Sequence, residues 1–119
     1  MKYTETHEWV EIKDNVATVG VTQYAQKELG DIVYVELPKL NKEVKAGEEA
    51  AVLESTKAAA DVYAPISGKI IEVNQMLLEN SDLVNRSPEK EGWLFKLQVT
   101  NPGEVSQLLD AETYLGRIK

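Results

Sequence analysis

The side chain whose surroundings set it apart chemically is Lys57. It stands in Glu54-Ser55-Thr56-Lys57-Ala58-Ala59-Ala60-Asp61, with small residues crowded on one side, so nothing bulky blocks access to its amine. An amine presented in this way suits covalent modification by another enzyme. Two local structures compete for the segment. On propensity alone it is helical, with Glu54 and Lys57 paired at i,i+3 and Lys57 and Asp61 at i,i+4. That helix would make Lys57 an ordinary surface residue. Context favours a hairpin instead. Strand-like residues lie before it at 49–54 and after it at 61–65, and Pro65 and Ser67-Gly68 follow closely as turn residues. A hairpin puts Lys57 at the bend, at the tip of a rigid element.

Other chemistry is scarce. His7 is the single histidine, beside Glu8 and Trp9, and no G-x-S-x-G context accompanies it. A nucleophilic triad therefore has no support, and a packed or hydrogen-bonded histidine is the expectation. The absence of cysteine excludes a disulfide scaffold, a thiolate metal site and a cysteine nucleophile. One histidine leaves only carboxylates for a metal, without calcium-loop spacing. The glycines form neither a dinucleotide fingerprint nor a phosphate loop. The formal charge of −7, with no Lys/Arg cluster, argues against nucleic acid and favours encounter with positively charged protein surfaces. The first eight residues hold no apolar stretch and are too acidic for a transit peptide, and no run approaches membrane-spanning length. The expectation is a cytoplasmic, bacterial-type protein without a targeting segment, engaging neither membrane nor nucleic acid.

The elements that must position Lys57 are mostly strands. With 119 residues, 43% apolar and 28% charged, the chain fits one globular domain, residues 1–119. Val16–Val21 is a β-branched strand preceded by Asp14-Asn15. Thr22 can cap a short helix over Gln23–Leu29, with Gly30 placed as its C-terminal glycine. Residues 32–37 form the next strand, ended by Pro38. Lys39-Leu40-Asn41-Lys42 is a turn in which Asn41 can be left-handed. Gly47 punctuates another turn. Residues 69–73 form a further strand. Along 94–99, Leu94, Lys96 and Gln98 alternate with Phe95, Leu97 and Val99. After Asn101-Pro102-Gly103, Val105, Leu108, Leu109 and Glu112 fall at helical spacing. Asp110 restarts a second helix carrying Tyr114, Leu115 and Ile118. Val44-Lys45-Ala46-Gly47-Glu48 faintly echoes Leu78-Glu79-Asn80-Ser81-Asp82, each leading towards a short apolar strand. Many short strands with turns predict a sandwich or barrel with a helical tail.

The chain resembles a known family, the H proteins of the glycine cleavage system, which are lipoyl carriers. The resemblance rests on His7-Glu8-Trp9-Val10, on 19–26, on 29–38, on the lysine segment through Gly68, and on Glu72-Val73-Asn74. It closes with Leu83-Val84-Asn85, Pro88 and Glu91-Gly92-Trp93-Leu94. It implies a mostly β, barrel-sandwich hybrid fold of the lipoyl-domain type, with a short helix in the N-terminal half and C-terminal helices. It also implies that Lys57 carries covalent lipoate and that the protein is a non-catalytic carrier, a monomer. The carrier would shuttle the aminomethyl group of glycine between partners. These are a pyridoxal-phosphate glycine decarboxylase (P protein), a folate-dependent aminomethyltransferase (T protein), and a flavin dihydrolipoyl dehydrogenase (L protein) that reoxidises the arm. A lipoate-attaching enzyme is the fourth partner. The resemblance further implies a surface cleft that shelters the loaded arm, with Glu8 and Asp61 as candidates to hold its amine. The chain departs from the family at Thr56, where an apolar residue is usual, and at Ala60, where serine is frequent. Biotin carriers set their lysine between methionines, and here Thr56 and Ala58 flank it. Lipoyl domains of 2-oxoacid dehydrogenases usually belong to longer chains with flexible linkers, and no linker is present.

Overall fold

Asp14 and Asn15 both adopt positive φ, 52° and 65°, the conformation that lets a two-residue hairpin turn follow the twist of its strands. In the computed structural model, which describes residues 1–118, they join β2 (Glu8–Lys13) to β3 (Val16–Val21) in register, Lys13 opposite Val16. The remaining elements are β1 (Lys2–Tyr3), α1 (Gln23–Leu29), β4 (Ile32–Glu36), β5 (Glu43–Val44), β6 (Glu49–Ser55), β7 (Ala59–Tyr63) and β8 (Gly68–Val73). They continue with α2 (Met76–Glu79), α3 (Asp82–Arg86), β9 (Phe95–Val99), a 3₁₀ turn (Pro102–Gln107) and α4 (Ala111–Arg117). Six strands form one sheet in the order β1-β2-β3-β9-β8-β5, and three form a second, β4-β6-β7. The fold is mostly β, with two open sheets and the larger helices at either end of the chain, as the sequence implies.

The sheets share one apolar core. Phe95, Leu97 and Ile70 from the larger sheet and Leu53, Val35 and Val62 from the smaller are fully or almost fully buried. Burying a Leu- or Phe-sized side chain contributes about 1.5–3 kcal/mol, and this cluster holds the two sheets face to face. Trp9 donates its indole N–H to Pro88 O at 2.9 Å. A Cβ at Gly20 would lie 2.6 Å from that indole nitrogen, so only glycine fits opposite Trp9.

Several local expectations hold. Thr22 accepts the Ala25 N–H with its side chain, and Gly30 ends α1 at φ 87°. Asn41 and Gly47 are left-handed, at 69° and 86°. Others shift. Leu37 lies outside β4, β7 begins at Ala59, and Gly68 belongs to β8. Leu94, predicted on the polar face, is buried, because it precedes the strand and donates its N–H to Val19 O. The helical spacing over 105–112 does not make a helix. The 3₁₀ turn ends at Gln107, and Leu109 exchanges both backbone hydrogen bonds with Tyr3, each 2.7 Å. That bridge gives β1 a second partner and satisfies backbone groups an edge strand would otherwise expose. Asp110 then caps α4 by accepting the Thr113 N–H. Tyr114 is buried, whereas Leu115 is exposed. The echo also fails in structure: residues 78–82 lie across the end of α2 and the start of α3, not before a strand.

Candidate functional site

The segment around Lys57 is a hairpin, not a helix. Cross-strand pairing of Val52 with Asp61, Leu53 with Ala60 and Glu54 with Ala59 runs to the tip. Helical propensity of the alanines is worth tenths of a kcal/mol per residue, and two strands with buried neighbours outweigh it. Ser55 shapes the bend. Its N–H donates to Ala58 O at 2.8 Å. Its Oγ accepts the N–H groups of Lys57 (3.1 Å) and Ala58 (3.0 Å) and donates to Ala58 O. Thr56 N–H donates to Asp31 O, which ties the tip to the α1–β4 connection.

Lys57 itself is exposed and, among the described residues, makes no ion pair with Glu54 or Asp61. Its stem lies across Gly30: a Cβ there would stand 2.9 Å from the lysine Cε. Gly30 is thus required twice, for its positive φ and for this close approach. Nearby, Asn85 uses both ends of its amide on the backbone of Ile32 and also accepts from Gln26. It thereby fixes the end of α1 against the start of β4.

A cleft of about 210 Å³ opens beside this hairpin. Val21, Ala25, Leu29, Leu53 and Val62 give it apolar walls. Leu29 adjoins the glycine under the Lys57 stem, and Ala60 and Asp61 lie on the strand leaving the tip. A larger groove of about 770 Å³ runs past Glu5, Glu104 and Arg117 and shares Glu8 with the cleft, but it takes no residue from α1 or from β7 before Tyr63.

Glu8 and Asp61, the two acids singled out in the sequence, both line the cleft. They differ in setting. Glu8 is 2% exposed. Its Oε1 accepts the hydroxyls of Thr4 (2.6 Å) and Thr6 (2.5 Å), and among the described residues its Oε2 accepts only the Tyr63 N–H, at 3.3 Å. Burial pushes the Glu8 carboxyl above the ordinary glutamate value, and the two threonine hydroxyls and the Tyr63 N–H pull against that shift. Asp61 is exposed, at the rim. A third carboxylate, Glu28 on α1, lines the same cleft. The sequence reading missed it, although helical spacing from Ala25 was available to find it. Thr4 and Thr6 were missed too, since nothing in a T-x-T-x-E run marks its hydroxyls as facing the acid.

His7 is packed and hydrogen-bonded, as expected. Its Nδ1 lies 2.9 Å from the Tyr114 hydroxyl, and its ring stands 4.8 Å from that of Tyr24. Its partner is a phenol and not a carboxylate, so the geometry is not that of a nucleophilic triad. Among the described residues no group of three His, Cys, Asp or Glu is arranged to hold a metal ion, and no helix is long and apolar enough to cross a membrane.

Known proteins similar to this chain share one family name. The family model described as glycine cleavage H-protein matches residues 1–119. A glycine cleavage system H protein of Thermotoga maritima is 59% identical over 113 residues, covering 95% of this chain and 91% of the relative. A probable glycine cleavage system H protein of Aeropyrum pernix is 51% identical over 119 residues, covering 100% of this chain and 83% of its own. The crystal structure of a glycine cleavage system H protein from Mycobacterium marinum superposes with a TM-score of 0.90 at 39% identity, covering 98% of this chain and 94% of that one.

Proposed function

The chain belongs to the glycine cleavage H-protein family, and from that premise we propose that it is a single lipoyl-carrier domain bearing lipoate in amide linkage on Lys57. The observation that carries the proposal is the pairing of an exposed, unpaired lysine at a hairpin tip with an apolar cleft floored by a buried carboxylate. The residues fit the group. The stem of Lys57 lies over Gly30, next to the Leu29 that lines the cleft, the walls suit an aliphatic chain, and Glu8 Oε2 keeps acceptor capacity for a cation at its end. Bound lipoate would supply thiol–disulfide chemistry and carry the aminomethyl group of glycine.

The chain's own residues do the positioning. Ser55 holds the backbone on which the arm is mounted. Amide formation removes the ammonium charge of Lys57, which lowers the cost of entering a partner's buried site. Glu8 and Asp61 hold the terminal amine of a loaded arm in the cleft, and Glu8 does most of it, because a desolvated carboxylate binds a cation more strongly than an exposed one. Tethering keeps the cargo at high effective concentration near each docked partner. Those partners are the P protein (glycine decarboxylase), the T protein (aminomethyltransferase) and the L protein (dihydrolipoyl dehydrogenase). The catalysis and its pyridoxal phosphate, folate and flavin belong to them, and a lipoate-attaching enzyme loads Lys57. The carrier acts as a monomer in the cytoplasm.

Intact-mass analysis of protein co-expressed with a lipoate ligase and lipoate should show one lipoyl adduct, absent in Lys57→Arg. Reconstituted with the three partners, the parent should support glycine decarboxylation and Lys57→Arg should not. Activity surviving in Lys57→Arg would overturn the proposal.

A further inference from the structure

Tyr114 lies on the C-terminal helix and lines no part of the cleft, yet its hydroxyl meets His7, which lines the cleft, and Thr22, which caps the helix that walls it. It is 4% exposed. Its hydroxyl lies 2.9 Å from His7 Nδ1 and 2.7 Å from Thr22 Oγ1. His7 belongs to the turn that supplies Glu8 with its donors: its N–H donates to Thr4 O and its C=O accepts the Thr22 N–H. It holds φ at 72°, a left-handed conformation uncommon for a residue with a side chain. Across that reversal, Thr4 and Thr6 donate their hydroxyls to Oε1 of Glu8. Thr22 caps α1 by accepting the Ala25 N–H, and α1 brings Ala25, Glu28 and Leu29 into the cleft.

One phenolic oxygen therefore links the His7 ring and the Thr22 cap hydroxyl, in addition to the backbone bond from Thr22 N–H to His7 O. The ring is itself fixed, stacked on Tyr3 with centroids 4.7 Å apart and planes 7° from parallel. Among the described residues the buried hydroxyl has these two partners, so losing it removes a side-chain contact from the His7 ring and from the Thr22 cap at once.

We infer that Tyr114 is a positioning residue for the cleft, and that its hydroxyl, acting through His7 and Thr22, sets how long a loaded arm stays sheltered. This rests on the reading of the cleft given above. It makes the C-terminal helix part of the carrier's function without contact to the cargo.

The test is Tyr114→Phe, which keeps the stack and the volume and deletes the hydroxyl. In the unmodified chain, nitrogen and proton NMR signals of the His7 ring and the Ala25 amide should move, and amide exchange along α1 should quicken. In isolated, aminomethyl-loaded protein, hydrolysis of the cargo to ammonia, formaldehyde and the free thiol, read as ammonia release, should be about three- to tenfold faster. Ile70→Val, a core change in the larger sheet away from the cleft, should leave that rate at the parent value, whatever it costs in melting temperature. An unchanged release rate in Tyr114→Phe, alongside faster release in Glu8→Gln, would overturn the role of Tyr114 alone. Unchanged rates in both variants would overturn the cleft reading and this inference with it. Equal acceleration in Ile70→Val would reduce the effect to general stability and overturn it as well.

Discussion

The turn that carries Glu8 and the hairpin that carries Lys57 are both short, both shaped by hydroxyl side chains, and both charged, yet they are restrained at different points. In the first, the Thr4 and Thr6 hydroxyls donate to the carboxylate itself, so the functional atoms are fixed and buried. In the second, the Ser55 hydroxyl binds only backbone groups of Lys57 and Ala58, so the path of the chain is fixed while the amine stays free. A docking floor must hold its charge still to bind a cation without reorganising. A swinging arm must hold its root still and leave its end mobile. The same side-chain chemistry serves both ends by being aimed at different atoms.

The sharpest way to break this contrast is to remove the fixed charge. Glu8→Gln keeps the shape and should quicken release of a loaded arm by about ten- to a hundredfold at neutral pH, the scale of a lost charge-assisted hydrogen bond. Asp61→Asn, at the exposed rim, should change it only a few-fold and in a salt-dependent way. The pH dependence follows from the raised Glu8 carboxyl. The folded chain holds that proton more tightly than the unfolded chain does. The resulting stability is therefore fully present below the ordinary glutamate value and is lost as pH rises through the raised one. Glu8→Gln lacks this titration. Denaturant melts should show the variant gaining on the parent as pH climbs through that window. Release from the parent should quicken as pH falls and Glu8 takes up its proton, while release from the variant should show no such step.

Ser55→Ala tests the other end and carries a smaller effect. The substitution deletes the acceptor for two N–H groups at a solvent-exposed tip, so the expected cost is about 1 kcal/mol of stability. The attachment rate of lipoate, followed by mass spectrometry, should fall several-fold because the lysine root is no longer held. Ammonia release from protein already loaded should stay at the parent value, since no residue of the cleft is touched. A change in release but not in attachment would reverse the assignment of the two ends.

How far such roles could be seen in advance depends on how local their causes are. Strand β3 and helix α1 were legible, because a β-branched run, a capping threonine and a terminal glycine act within a few residues. The hairpin at Lys57 was legible only from its flanks, since the alanines alone favour a helix and the cross-strand pairs of 52–54 with 59–61 decide the matter. Helices α2 and α3, four and five residues long, are too short to show a period. The run from Val105 to Leu109 looked helical because nothing near it reveals that Tyr3 takes both backbone bonds of Leu109. In the site, Lys57, Glu8 and Asp61 were named from pattern and resemblance. Tyr114 was seen only as a helical apolar residue. Its partners are 107 and 92 positions away, and no short-range signal encodes such a contact.

The smallest predicted effect concerns Thr56, the neighbour of Lys57 where the family usually has an apolar residue. Its backbone N–H holds Asp31 O, but its side chain is exposed and makes no hydrogen bond among the described residues. Valine has the same branched shape and leaves that backbone bond intact. Thr56→Val should therefore shift stability by no more than about 0.5 kcal/mol. If the attaching enzyme reads the tip through the backbone path that Ser55 and Asp31 hold, lipoate attachment should change by less than about twofold, since no bond to that path is lost. A tenfold change in attachment with an unchanged melting temperature would mean that the side chain at 56 is itself read. The root of the arm would then be specified by surface chemistry as well as by shape, and the contrast between the two ends would be narrower than the hydrogen bonds suggest.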